Sequence, residues 1–287
     1  MHEPLNELIS LMFVKQLDSR TFEGSSRDIG TGRVYGGQVL GQALKAAQLT
    51  VGEGKTVHSM HAYFMREGNH NIPITYHVDI TRDGRSFSTR HVVAFQQNRP
   101  IFITDMSFQI TETGLEYQPV MPILKEPESY KSLKDYDISG INKLSDKLQK
   151  LIKLSSPFEI KPVPPADIPP DSSKQKFVWI KTRQKIIDDA DIHRAILAYI
   201  SDYGLVTTTL IPHAIDFETP TLQMASIDHG MWFHRPFRVD NWLLYAYEAL
   251  STSNARGLGY GSIYDVHGNL IATTMQEGLI RQIKKGG

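Results

Sequence analysis

The chain has 287 residues, with 31 Lys and Arg against 31 Asp and Glu, and no cysteine. Balanced charge gives no field that would gather nucleic acid or an anionic membrane surface, and the missing thiols exclude disulfides, thiolate metal sites and a cysteine nucleophile. No uninterrupted apolar run reaches the roughly 18 residues a membrane helix needs, so no span is expected. Residues 1–13 have the apolar spacing of a short amphipathic helix without a basic leader. Residues 16–24 read as a short strand and 30–37 as a loop. Residues 38–47, rich in small and unbranched side chains, read as a helix that packs closely on a sheet. Strands are expected at 58–66, 74–81, 86–96 and 101–110, with turns at Arg82-Asp83-Gly84 and Asn98-Arg99-Pro100.

Residues 113–173 change character. They gather prolines, among them Pro119, Pro122, Pro164, Pro165, Pro169 and Pro170, around one expected helix near 141–154, which reads as a linker. The second half then repeats the order of the first: a strand at 177–184, a helix at 192–203, and strands at 223–233, 242–250, 256–266 and 269–281. At one constant offset Phe64 matches Phe233, Arg66 matches Arg235, Ile101 matches Leu270, Thr104 matches Thr273 and Met106 matches Met275. Arg90 reaches Arg256 only after a three-residue length change in a turn. A unit written twice implies two homologous domains, 1–112 and 174–287, joined by 113–173. A helix between one strand and an antiparallel run lies across a sheet, so the class is α+β. Two such units in tandem make a double hotdog, two antiparallel sheets each wrapped around a central helix.

Several motifs occur in order and at family-like spacing. They are Gly36-Gly37-Gln38-Val39-Leu40-Gly41-Gln42-Ala43, His58-Ser59-Met60-His61-Ala62-Tyr63-Phe64, Ser86-Phe87-Ser88-Thr89-Arg90, Asp228-His229-Gly230-Met231-Trp232-Phe233-His234 and Gln276-Glu277-Gly278. In these the chain resembles the acyl-CoA thioesterase II family over nearly its whole length, least in the Pro-rich middle. The resemblance implies hydrolysis of fatty acyl-CoA to free acid and CoA without a covalent intermediate, with no cofactor beyond the CoA of the substrate. It implies an Asp, a Ser or Thr and a Gln that hold and activate water. By motif these are Asp202, Ser226, where the bacterial pattern often has Thr, and Gln276. It also implies a homo-oligomer, a dimer or tetramer. The C-terminus is not of the Ser-Lys-Leu type, so a cytoplasmic address is expected.

Thioester hydrolysis needs an activated water and donors for the developing oxyanion, not a metal. Asp202 falls at the expected end of a helix, where the dipole disfavours negative charge and raises a carboxyl pKa. Tyr199, Ala198 and Ala195 share its helix face and are expected to line an apolar groove. Ser226 shares a strand face with Leu222, Met224 and Trp232, and Gln276 with Ala272, Thr274 and Gly278, so both can point at the helix. At the repeat offset Ser226 matches Val57 and Gln276 matches Ser107, so one site per chain is expected and the first half is a degenerate copy. The helix entrance at Gly36-Gly37-Gln38 is expected to offer N–H groups to a thioester oxygen or a CoA phosphate.

Other signals have plainer readings. Asp228 and His229 fall on opposite faces of a strand and no helical His pair supports them, so with His234 they form no metal triad, and His58 and His61 read as core or hydrogen-bonding residues. Gly30, Gly32, Gly36 and Gly37 miss the dinucleotide spacing, and no Gly-x-Ser-x-Gly elbow is present. Arg66, Arg235 and Arg256 are candidates for CoA phosphates or for ion pairs. The competing functions are a hotdog-fold enoyl-CoA hydratase, which generally uses a catalytic His, and a non-catalytic acyl-CoA binding module.

Overall fold

The structure is a computed structural model that describes residues 3–30, 32–135, 156–172, 175–215, 219 and 221–283. The first half runs α1 (Glu3–Met12), β1 (Lys15–Gln16), β2 (Thr21–Gly24), α2 (Gly36–Gln48), β3 (Lys55–Phe64), β4 (Ile74–Asp83), β5 (Phe87–Gln96) and β6 (Arg99–Ile110). After β7 (Phe158–Pro162) the second half repeats this as β8 (Gln175–Thr182), α3 (Ala190–Ser201), the short α4 (Leu205–Thr208), β9 (Leu222–Ser226), β10 (Asp228–Phe233), β11 (Leu243–Ser253), β12 (Arg256–Asp265) and β13 (Leu270–Gln282). The expected helix at 141–154 lies outside the described residues.

Among the described residues, all strands join one antiparallel sheet in the order β1-β2-β4-β5-β6-β3-β10-β13-β12-β11-β8-β7, with β9 beside β13. The order β2-β4-β5-β6-β3 is mirrored by β8-β11-β12-β13-β10, so a pseudo-twofold axis passes between the equivalent strands β3 and β10, near the His61–Gly230 pair. This is the expected double hotdog. Because the two sheets are continuous, their central helices lie side by side and antiparallel on one face. Glycines make that contact close: a Cβ on Gly41 would stand 2.8 Å from the Ala195 carbonyl oxygen, and one on Gly37 would overlap that of Tyr199. The small residues of α2 therefore serve helix against helix as well as helix against sheet. α1 buries Leu5, Leu8, Leu11 and Met12 and packs on both central helices. Each such side chain contributes about 1.5–3 kcal/mol by leaving water.

Ala190–His213 is long and apolar enough, by length and composition, to cross a membrane, but most of it is buried inside the protein. It is apolar all round because it is core. Arg90 is also fully buried. It bonds Thr50 Oγ1 at 2.8 Å, the Thr50 carbonyl at 2.9 Å and Asp83 Oδ1 at 2.8 Å, tying the end of α2 to the β4–β5 hairpin.

The structure corrects several local expectations. The strand expected at 16–24 is two, β1 and β2. The turn expected at Asn98-Arg99-Pro100 centres on Gln97 and Asn98, at φ 48 and 58, and Pro100 enters β6 beside a bulge. Two left-handed residues in succession match the twist of the flanking strands. Part of the stretch expected as linker is packed structure: β7 pairs with β8, and Met121, Leu124, Tyr130, Val163 and Ile168 cover the outer face of β8 and β11 at Phe177, Trp179, Trp242 and Leu244. The strand expected at 223–233 breaks at Ile227 into β9 and β10. Phe64 pairs with Phe102 while Phe233 pairs with Ala272, so the last strands repeat at an offset one residue longer than β3 and β10. Gln276 consequently matches buried Met106, not Ser107.

Candidate active site

Asp202 is the C-cap of α3, and its carboxylate collects the two other predicted side chains. Gln276 Nε2 donates to Asp202 Oδ1 at 2.6 Å, and Ser226 Oγ donates to the same oxygen at 3.4 Å. The Ile227 break brings Ser226 here. Buried positions in β9 are even-numbered and those in β10 odd-numbered, so parity reverses at the bulge. Ser226 faces the helix while Trp232 faces outward against His61, which corrects the shared face expected for those two residues.

The first half contributes more to the site than expected. α2 has no side-chain N-cap; instead the backbone N–H of Gly37 donates to the Asp202 carboxylate. A Cβ on Gly36 would stand 2.7 Å from Asp202 Oδ2. The positive end of α2 thus meets the negative charge, opposing the unfavourable end of α3. Burial is the largest influence and raises the Asp202 carboxyl from 3.8 to about 6, against the hydrogen bonds from Gln276, Gly37 and Ser226, which lower it. Asp202 keeps some exposed surface, but the surrounding protein excludes most solvent from its carboxylate. The expected cause, the α3 dipole alone, is therefore incomplete. The expected groove beside Tyr199 and Ala195 is instead the α2–α3 contact.

The last turn of α3 is held rigidly. Its free carbonyls at Ser201 and Tyr203 accept from the hydroxyls of Tyr245 at 2.9 Å and Tyr247 at 3.1 Å. Ser201 Oγ donates to the Ala198 carbonyl at 2.8 Å, so it accepts from His229 Nε2 at 2.9 Å. Burial lowers His229 to about 3 and keeps it neutral. Sequence reading missed this support, although Tyr245 and Tyr247 are spaced as same-face strand neighbours. Asp228 accepts from the Glu277 N–H at 2.7 Å and His234 bonds Thr273 at 3.0 Å, so Asp228, His229 and His234 do not converge. His58 bonds Ser107 at 2.8 Å. Arg235 pairs with Glu116 at 3.7 Å and Arg256 with Glu277 at 2.8 Å.

In the second pseudo-equivalent site, at the other junction of the two helices, Leu49 is the matching C-cap, and Val57 and Met106 replace Ser226 and Gln276. Only one of the two helix junctions carries the polar constellation.

A double hotdog with a carboxylate at one of its two helix junctions defines the structural class, the hotdog fold. The sequence matches the family described as acyl-CoA thioesterase over residues 153–279, and the one described as acyl-CoA thioesterase N-terminal domain over residues 25–109. Acyl-CoA thioesterase 2 of Haemophilus influenzae is 38% identical over 98% of this chain and 99% of its own. Human acyl-coenzyme A thioesterase 8 is 37% identical over 95% of this chain and 88% of its own. The crystal structure of an acyl-CoA thioesterase II from Mycobacterium marinum superposes with a TM-score of 0.82 at 33% identity, over 98% of this chain and 99% of that one. This chain belongs to the acyl-CoA thioesterase II family.

Proposed function

We propose that the chain hydrolyses fatty acyl-CoA to free fatty acid and CoA, with Asp202 as general base, Ser226 and Gln276 as water-positioning groups, and no cofactor. The carrying observation is the convergence of Ser226 Oγ and Gln276 Nε2 on one oxygen of a carboxylate raised to about 6. Asp202 accepts a proton from water as the water oxygen attacks the thioester carbonyl, and the CoA sulfur leaves and is protonated. Gln276 Oε1 is buried and has no hydrogen-bond partner among the described residues, so it can accept a hydrogen bond from the second O–H of that water, which stays on its oxygen during attack. No covalent intermediate is required. In this reading residues 1–112 are a degenerate domain, 113–173 connect, and 174–287 carry the three side chains. A dimer or tetramer belongs to the same proposal, supported by exposed Tyr63 and half-buried Trp232 on the outer face of the β3–β10 seam. So does a cytoplasmic address, which rests on the sequence alone.

Thiol release from a panel of saturated acyl-CoAs tests the reaction. A hydratase would instead add water to an enoyl-CoA without releasing thiol, and a binding module would do neither. In the same assay Ser226→Ala is expected to lose about 10-fold or more in kcat, while Ser226→Thr, which restores the hydroxyl, stays within a few-fold of the parent. Equal activity in Ser226→Ala and the parent removes Ser226 from the mechanism.

A further inference from the structure

The pseudo-twofold relates two grooves as well as two helix junctions, and the grooves have diverged. Beside the junction that holds Asp202 lies a cavity of about 290 Å³ with walls that include Val34, Val39, Phe64 and Phe102. Gly36 and Ser226 also line it, and both lie against Asp202, so the cavity borders the residues that touch the carboxylate. Gly68 lines it too, and Val34 packs where its side chain would be: a Cβ there would stand 2.9 Å from Val34. In the second half Phe237 occupies the matching position and stacks on Phe233, ring centroids 6.4 Å apart and planes 6° from parallel. That copy of the groove carries an aromatic ring where the first has a glycine.

The two arginines of the repeat have diverged in step. Arg66 donates to the Pro100 carbonyl at 2.6 Å, and Arg235 donates to the Leu270 carbonyl at 2.9 Å. This shared bond is structural. Arg235 is also neutralised by Glu116, whereas Arg66 has no carboxylate partner among the described residues and lies exposed on the groove. Its neighbour Glu67 is engaged by Arg33. A groove with apolar side chains in its walls, which borders the residues touching the carboxylate and carries a guanidinium without a carboxylate partner, suits a ligand with an extended arm that ends in phosphates.

We infer that the N-terminal half, which lacks the reactive side chains, is the coenzyme-docking half: the pantetheine arm of an acyl-CoA lies in the groove between Val34 and Phe64, and Arg66 receives the phosphates at its mouth. This rests on the hydrolase reading above and adds where the coenzyme sits. The test compares one acyl group carried on CoA and on pantetheine, which has no nucleotide phosphates. Arg66→Ala is expected to raise KM for the CoA thioester about 5- to 10-fold and leave kcat, and the KM for the pantetheine thioester, unchanged. Arg66→Lys is expected to recover most of the loss, and the difference shrinks with added salt. Arg235→Ala is expected to show no selectivity between the two substrates. Equal losses on both substrates in Arg66→Ala, or no loss on either, overturn the inference. Calorimetric titration of free CoA separates it from the hydrolase reading. A parent that hydrolyses neither thioester defeats that reading. Docking then stands if Arg66→Ala weakens CoA binding about 5- to 10-fold, and falls if binding is unchanged.

Discussion

Asp202→Asn is expected to lower kcat for thiol release by about 10²- to 10⁴-fold, the range of a lost general base, without lowering the thermal midpoint at pH 8. The second half of this expectation follows from the carboxyl of about 6 in the folded chain against 3.8 as its ordinary value. Between those pH values the folded state holds a proton that the unfolded state has released, so stability falls as pH rises. Above about pH 6 the full cost, at most about 3 kcal/mol, is present. An amide carries no such cost and still accepts from Gln276. Thermal melts at pH 5 and pH 8 are therefore expected to favour Asp202→Asn more strongly at the higher pH. For the parent, kcat/KM rises with pH through about 6 and levels, because only the ionised carboxylate accepts a proton. A variant that is both active and less stable at pH 8 contradicts this reading.

Gly37→Val is expected to cost about 3 kcal/mol or more in urea unfolding and to abolish activity. A Cβ there overlaps the Tyr199 carbonyl oxygen and the Tyr35 ring, so the central helices must separate, and the Gly37 N–H leaves Asp202. Gly52→Ala is the control: nothing lies within 4 Å of its Cβ and its φ is not in the left-handed region. Its unfolding midpoint should stay near that of the parent, a change of about 0.5 kcal/mol or less. Similar losses in both variants would show that close approach at Gly37 does not hold the helix pair.

The repeat made the architecture legible, because matching Phe64-x-Arg66 and Phe233-x-Arg235 places two copies of one unit before any contact is known. The three side chains were found through family motifs, and periodicity alone would have misplaced one of them. Ser226 reaches the helix only through the bulge at Ile227, and a bulge inserts a residue without a distinctive side chain to announce it. The one-residue slip of β13 against the repeat was hidden for the same reason. The share of the first half in the site was only partly visible. Gly36 and Gly37 looked like a helix entrance open to ligand, but one central helix meets the other head to tail, and the entrance is aimed at Asp202. The fixing of the last α3 turn by Tyr245, Tyr247 and His229 depends on three strands meeting one helix end, a tertiary fact that no local pattern carries.

The central claim, direct attack by water under control of Asp202, is tested most directly by a single turnover in ¹⁸O-labelled water with excess enzyme, followed by mass spectrometry of the acid and of the peptide containing Asp202. The account predicts one labelled oxygen in the free acid from the first turnover and none in the peptide. An unlabelled acid with label in the Asp202 carboxylate would mean that Asp202 attacks the thioester itself, and would contradict it.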